Sequence, residues 1–207
     1  MKILVVGASG RVGSLLVNKL EKSGHEVTGT YNSKKLDIKN SFKLDLHSSV
    51  TEIAKLVNGF DVIYFVAGSR GKDLLQTDLN GAVKVMMAAE KVGIKRFIQL
   101  SSTYALDQSR WDEGYLKDIP DYNVAKFYSD SWLINNTDLD YTILQPSALT
   151  ETPATGKADF QLTELSENSI SDVAEVLAEL IDNNNTIKKV ILMGSGSKNI
   201  ADALAEI

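Results

Sequence analysis

Tyr122 and Lys126 stand four residues apart at the start of an apolar-periodic stretch, a spacing that puts both on one face of a helix, a turn from each other. A tyrosine ordinarily loses its proton near ~10, and an ammonium held beside it favours the phenolate, so the pair can act as acid or base nearer neutrality. Ser102, in the run Leu100-Ser101-Ser102-Thr103, follows an apolar strand and falls where parallel-sheet proteins build their sites; its hydroxyl can orient a carbonyl or an alcohol. Singly, each residue has an ordinary structural reading. A Tyr-x-x-x-Lys spacing arises by chance in many chains, and Ser101 and Ser102 can cap a turn. The order glycine turn, Ser102, Tyr122, Lys126 and then a strand ending at Pro146 says more than any one of them.

The glycine turn is Gly7-Ala8-Ser9-Gly10-Arg11-Val12-Gly13, between the first apolar strand and the first helix. Gly7 suits the tight turn, Gly10 lets a pyrophosphate approach the backbone, and Gly13 lets the helix pack close to the sheet, with the helix N-terminus facing the phosphates. Its place on the first strand of a βαβ unit favours a dinucleotide-binding turn over a plain strand-to-helix turn. After the second strand Asn32, Ser33, Lys34 and Lys35 offer donors and positive charge, with no carboxylate before Asp37 to accept from a ribose 2′-hydroxyl, and Arg11 can reach the same point. NADP is therefore expected rather than NAD, the alternative being that the lysines are a solvated loop pair. Asp45 and Leu46 are candidates for the adenine edge, and Ala67 and Gly68 leave room for adenine and ribose; each also reads as ordinary loop chemistry.

Elements that could position these groups follow βαβ grammar. Strands are expected at Ile3 to Val6, Glu26 to Thr30, Phe42 to Leu44, Val62 to Val66, Phe97 to Leu100, Tyr141 to Leu144 and Val190 to Met193, several of them apolar throughout, as a strand covered by helices on both faces must be. Apolar stripes at helical spacing run through Val12 to Leu20, Leu75 to Met86 with a stop near Gly93, Ala125 to Ile134, Asp172 to Ile181 and the last residues. The fold class is α/β, a doubly wound Rossmann-type parallel sheet in one domain over 1–207, with a small C-terminal substrate region. Segments 104–121 and 148–168 are expected on the substrate side. Trp111 and Tyr115, among five acids of the first segment, read either as an acidic, aromatic lid over the nicotinamide or as a surface loop.

Composition narrows the classes. The 207 residues are 43% hydrophobic and 24% charged, ordinary for a soluble globular chain, and a net charge of -5 without a basic run argues against nucleic acid or an anionic membrane as partner. With no cysteine, thiolate metal sites and thiol nucleophiles are excluded, and a reducing cytoplasm is the expected compartment. His25 and His47 are separated in sequence, which gives little support to a histidine metal centre or a histidine-driven serine. The first apolar run is only four residues, too short for a signal or membrane segment, so a soluble, unexported chain is expected.

The stretches KILVVGASGRVG, DVIYFVAGS, GAVKVMMAAEKVGIKRFIQLSS, YNVAK, DYTILQPSALT and ISDVAEVLAELI together resemble an atypical short-chain dehydrogenase/reductase, of the NAD(P)H-binding branch near the epimerase/dehydratase-like and NmrA-like proteins. The resemblance implies Ser102, Tyr122 and Lys126 as the catalytic trio, with Lys126 also holding the nicotinamide ribose. It departs in two places. Asp78 stands where extended members often have Asn, and Gln145-Pro146 stands where many relatives have Arg-Pro. The function expected is NADP-dependent hydride transfer with a small carbonyl or alcohol; the alternatives are a non-catalytic NADP(H) sensor of NmrA-like type and a sugar epimerase/dehydratase-like enzyme, for which the stretch after Pro146 looks too short. The partner is a small-molecule substrate, whose identity, like the oligomeric state, stays open.

Overall fold

The computed structural model describes residues 1–33 and 38–207, so Lys34, assigned above to a 2′-phosphate, lies outside the described residues with Lys35 and Asp37. The strands are β1 Lys2–Val6, β2 Glu26–Tyr31, β3 Ser41–Lys43, β4 Val62–Phe65, β5 Arg96–Leu100, β6 Asp140–Pro146, β7 Ala148–Thr150, β8 Lys157–Asp159, β9 Glu167–Ser169 and β10 Lys189–Asn199. Eight of them form one sheet in the order β3-β2-β1-β4-β5-β6-β10-β8, parallel except where β8 meets β10. The helices are α1 Arg11–Lys22, α2 Val50–Val57, α3 Ala82–Val92, α4 Pro120–Asn135, α5 Ile170–Glu179 and α6 Ile200–Ala205.

β1 shows why its apolar run is continuous. Ile3 pairs with Val27 on one side and Val62 on the other, so no edge faces water. Ile3 and Val5 then point into one core layer with Leu16 and Leu20 of α1 and Val173 and Leu177 of α5. Leu4 and Val6 point into the other layer, with Ile53 of α2, Met86 of α3 and Leu133 of α4. Alternation is present, but both faces are buried, which is the doubly wound arrangement.

Several elements go beyond the periodicity. Ser49 and Glu52 form a capping box that starts α2, which the apolar pattern alone does not single out. The stripe from Leu75 is π-helical over Leu74–Gly81 and becomes α-helical only at Ala82. Helix α4 starts at Pro120, whose fixed φ suits a first turn, so Tyr122 lies in its first turn as the spacing predicts, ahead of the apolar stripe from Ala125. In the polar stretch after Pro146, β7 and β9 pair as a separate two-stranded ribbon and β8 joins the main sheet. No helix among the described residues is long and apolar enough to cross a membrane.

Candidate functional site

The strand order reverses between β1 and β4, and a cleft of about 910 Å³ opens where β1, β4, β5 and β6 end. Gly7, Ser9, Gly10, Arg11 and Val12 line it. Gly7 has φ +92, and a Cβ there would stand 2.5 Å from Ala67 Cα, so both the conformation and the approach of β4 require glycine. Gly13 does not line the cleft; a Cβ on it would stand 2.9 Å from Ala8 Cα and collide with the Gly7 carbonyl, so its part is to let α1 sit against the turn. Gly10 differs from both. Its backbone is extended, and a Cβ there would meet only the Gly7 carbonyl oxygen, at 3.2 Å. No side chain caps α1 and no acid stands in its first turn, so its leading amides remain available to an anion. This cradle fits a dinucleotide pyrophosphate.

Around it lie the other residues expected to meet the nucleotide. Asn32, Asp45, Leu46, Ala67 and Gly68 line the cleft, while Ser33 is exposed and outside its lining. Thr30, Tyr31 and His47 line it too, unmarked in the sequence; Thr30 Oγ1 accepts from the Gly7 amide at 3.2 Å. Asp45 accepts from the His47 amide at 2.9 Å, and His47 Nε2 lies 2.7 Å from Asp73. Arg11 reaches across to Glu151, 3.0 Å away.

Ser102, Tyr122 and Lys126 come together on the same cleft from the end of β5 and the first turns of α4. Lys126 is buried; its ammonium donates to the Leu100 carbonyl at 3.2 Å and lies 5.6 Å from the centre of the Tyr122 ring. Lys126 favours the Tyr122 phenolate, as the spacing predicts, but it does not act alone. Burial dominates and pushes the phenol above its ordinary range, the Lys126 ammonium offsets part of that, and the Asp78 carboxylate adds to the rise.

Asp78, noted in the sequence only as a departure from Asn, is fully buried in the π-helical turn and lines the cleft. One of its oxygens accepts from the Ser69 amide at 2.9 Å; the other, Oδ1, has no partner. Beneath the trio lies a network that the sequence did not show. Ser101 Oγ donates to Asp130 at 2.6 Å, joined by Gln99 Nε2 at 2.6 Å and Gln145 Nε2 at 2.9 Å. Gln145, read as the loss of a cation, thus has a positive task in tying β6 to α4. Ser101 and Ser102 both line the cleft, but the Ser101 hydroxyl is committed to Asp130, which leaves that of Ser102 for a ligand.

The segment 104–121 is tied down at several points, and its acids stay out of the cleft. Arg110 stacks 4.1 Å from the Tyr104 ring centre, donates to Glu113 at 2.5 Å and to the Thr163 carbonyl at 3.1 Å, and so clamps the segment to the stretch before β9. Trp111 donates to the Tyr104 carbonyl at 3.1 Å and packs edge-on to Phe127 at 5.9 Å, away from the cleft. Of this segment Tyr115 and Ile119 line the cleft, and none of its five acids does.

Comparison with known proteins agrees with this geometry. The model of a family described as NAD(P)H-binding matches residues 7–184. The crystal structure of the oxidoreductase ylbE from Lactococcus lactis superposes with a TM-score of 0.95 at 39% identity, covering 100% of this chain and 96% of that one. UPF0659 protein YMR090W of Saccharomyces cerevisiae is 35% identical over 96% of this chain and 95% of its own. YhfK of Bacillus subtilis, named an uncharacterized sugar epimerase, is 32% identical over the full length of both.

Proposed function

The chain belongs to the NAD(P)H-binding family, in keeping with the atypical short-chain dehydrogenase/reductase branch its motifs resemble, and from that premise we propose that it is an NADP-dependent oxidoreductase acting on a small carbonyl or alcohol. The observation that carries this reading is the convergence of Ser102, Tyr122 and Lys126 on the cleft that also receives the glycine turn.

When bound, the reduced nicotinamide supplies a hydride to a carbonyl carbon. Tyr122 gives its proton to the carbonyl oxygen, and a phenol held above its ordinary pKa is protonated at neutral pH, as reduction requires. Ser102 donates to the same oxygen as charge develops on it. Lys126, fixed by the Leu100 carbonyl, lowers the cost of the phenolate that remains and, lining the cleft, would hold the nicotinamide ribose. Gly7, Ser9, Gly10 and Val12 take the pyrophosphate with the α1 N-terminus; Arg11 and Asn32, with Ser33 and Lys34 nearby in sequence, take the 2′-phosphate; Asp45, Leu46, Ala67 and Gly68 take the adenosine half. Segments 104–121 and 148–168 form the substrate side of a single domain working in the cytoplasm.

A sensor needs the nucleotide site but not the trio, so the trio favours an enzyme. A sugar nucleotide, suggested by the name of YhfK, brings a diphosphate, and among the described residues Lys126 is the one cation lining the β5 and β6 end of the cleft. Reduction of an uncharged carbonyl fits better. NADPH oxidation across a panel of aldehydes, quinones and ketones tests the proposal: turnover supports it, and tight NADPH binding with no turnover that alters association with a protein partner replaces it with the sensor.

A further inference from the structure

Among the described residues seven buried side-chain polar atoms have no hydrogen-bond partner, and four of them, on Ser69, Asp78, Tyr115 and Ser147, belong to residues lining this one cleft. Native proteins leave few such atoms, because each costs the desolvation of an unmade bond, so their gathering in a cleft points to a ligand that completes them. Tyr115 Oη and Ser147 Oγ are the two donors of the set at the β5 and β6 end, beside Tyr122 and Ser102.

Both hydroxyls are held in place. Tyr115 sits in a 3₁₀ turn, Gly114–Asp118, whose Leu116 is fully buried and accepts from Asn123 Nδ2 at 2.7 Å. The Ala148 amide donates toward the phenol oxygen and offsets part of a pKa pushed up to about 12 by burial, so it is the phenolic O–H that is left without an acceptor. Ser147 is buried, and its amide donates to the Met193 carbonyl and to Asn168 Oδ1, both at 2.9 Å. Ile119, Ala148 and Leu149 supply apolar wall between and around these groups.

Resting on the reductase reading, we propose that Tyr115 and Ser147 form a second oxygen-binding pair, so that the preferred substrate is an uncharged compound with a second carbonyl oxygen next to the one that is reduced. One carbonyl lies at Tyr122 and Ser102, where its carbon takes the hydride and its oxygen the Tyr122 proton, giving a hydroxyketone and NADP⁺; Tyr122 regains its proton from solvent. The other carbonyl accepts from Tyr115 and Ser147 and is left unchanged. Tyr115, held protonated by burial, and Ser147 present neutral hydroxyls, which suit an uncharged carbonyl better than a carboxylate.

The test is calorimetry on the protein saturated with NADP⁺, with 1-phenyl-1,2-propanedione, propiophenone and benzoylformate as probes. The dione is expected to bind about tenfold more tightly than propiophenone, and Tyr115→Phe and Ser147→Ala each to remove most of that preference while leaving propiophenone and NADP⁺ binding unchanged. A preference that survives both changes, an equal loss for both ketones, a loss of NADP⁺ binding, absence of dione binding, or tighter binding of benzoylformate overturns the proposal. NADPH oxidation separates the two readings. A dione that binds as described but is never reduced leaves the oxygen-binding pair standing and removes the reductase.

Discussion

The Arg11 guanidinium lies 3.0 Å from the Glu151 carboxylate, joining the glycine turn to the segment after β7 across the mouth of the cleft. Both side chains are substantially exposed, so the pair itself is worth only ~0–1 kcal/mol. On the proposed reading Arg11 has two suitors, Glu151 and the 2′-phosphate. Arg11→Ala is expected to weaken NADPH binding by about tenfold and leave NADH binding unchanged, and Glu151→Gln to strengthen NADPH binding by a few fold. Calorimetric titration of both nucleotides checks this; equal effects on NADPH and NADH would place the 2′-phosphate elsewhere.

Gly10 and Gly13 separate binding from folding. Because the Gly10 backbone is already in a region open to any residue and a Cβ meets only one oxygen at 3.2 Å, Gly10→Val is expected to keep the thermal midpoint within a few degrees while abolishing binding of NADPH and NADH. At Gly13 a Cβ would run into the Gly7 and Ala8 backbone, which cannot give way as a side chain can, so Gly13→Ala is expected to lower stability by ~1–3 kcal/mol, read from the denaturant midpoint.

The glycine turn, the apolar strands and Tyr122 with Lys126 were legible because each is written within a few consecutive residues. The buried network was not: Ser101 and Gln145 lie 29 and 15 positions from Asp130, and the three meet only when β5, β6 and α4 pack. Arg11 and Glu151 are 140 apart. The π-helical turn escaped because Leu75, Leu79 and Ala82 are spaced as an α-helix would space them, although Gly81 lets the turn pack against Leu46, whose Cβ would stand 3.0 Å from a Cβ at that position. Strands of three residues, as in β7, β8 and β9, are shorter than any alternation that would reveal them.

The proposed acid role of Tyr122 implies a pH dependence. Its phenol must be protonated to act as an acid, and burial and Asp78 both raise its pKa, so kcat/KM for carbonyl reduction is expected to be level from neutral pH to the ordinary tyrosine range and to fall only above it. Asp78→Asn removes one raising charge and should move that fall to lower pH. A rate profile measured with both proteins decides the matter; a fall near neutrality in the wild type would assign the proton to another group.

Comparison of Tyr122→Phe with wild type, in turnover of one accepted carbonyl and in NADPH affinity, addresses the central claim most directly. The change removes only the phenolic hydroxyl, and Lys126 keeps its bond to the Leu100 carbonyl. The account predicts NADPH affinity within a few fold of wild type and kcat lower by about 10² to 10⁴. Turnover that survives the change would contradict it.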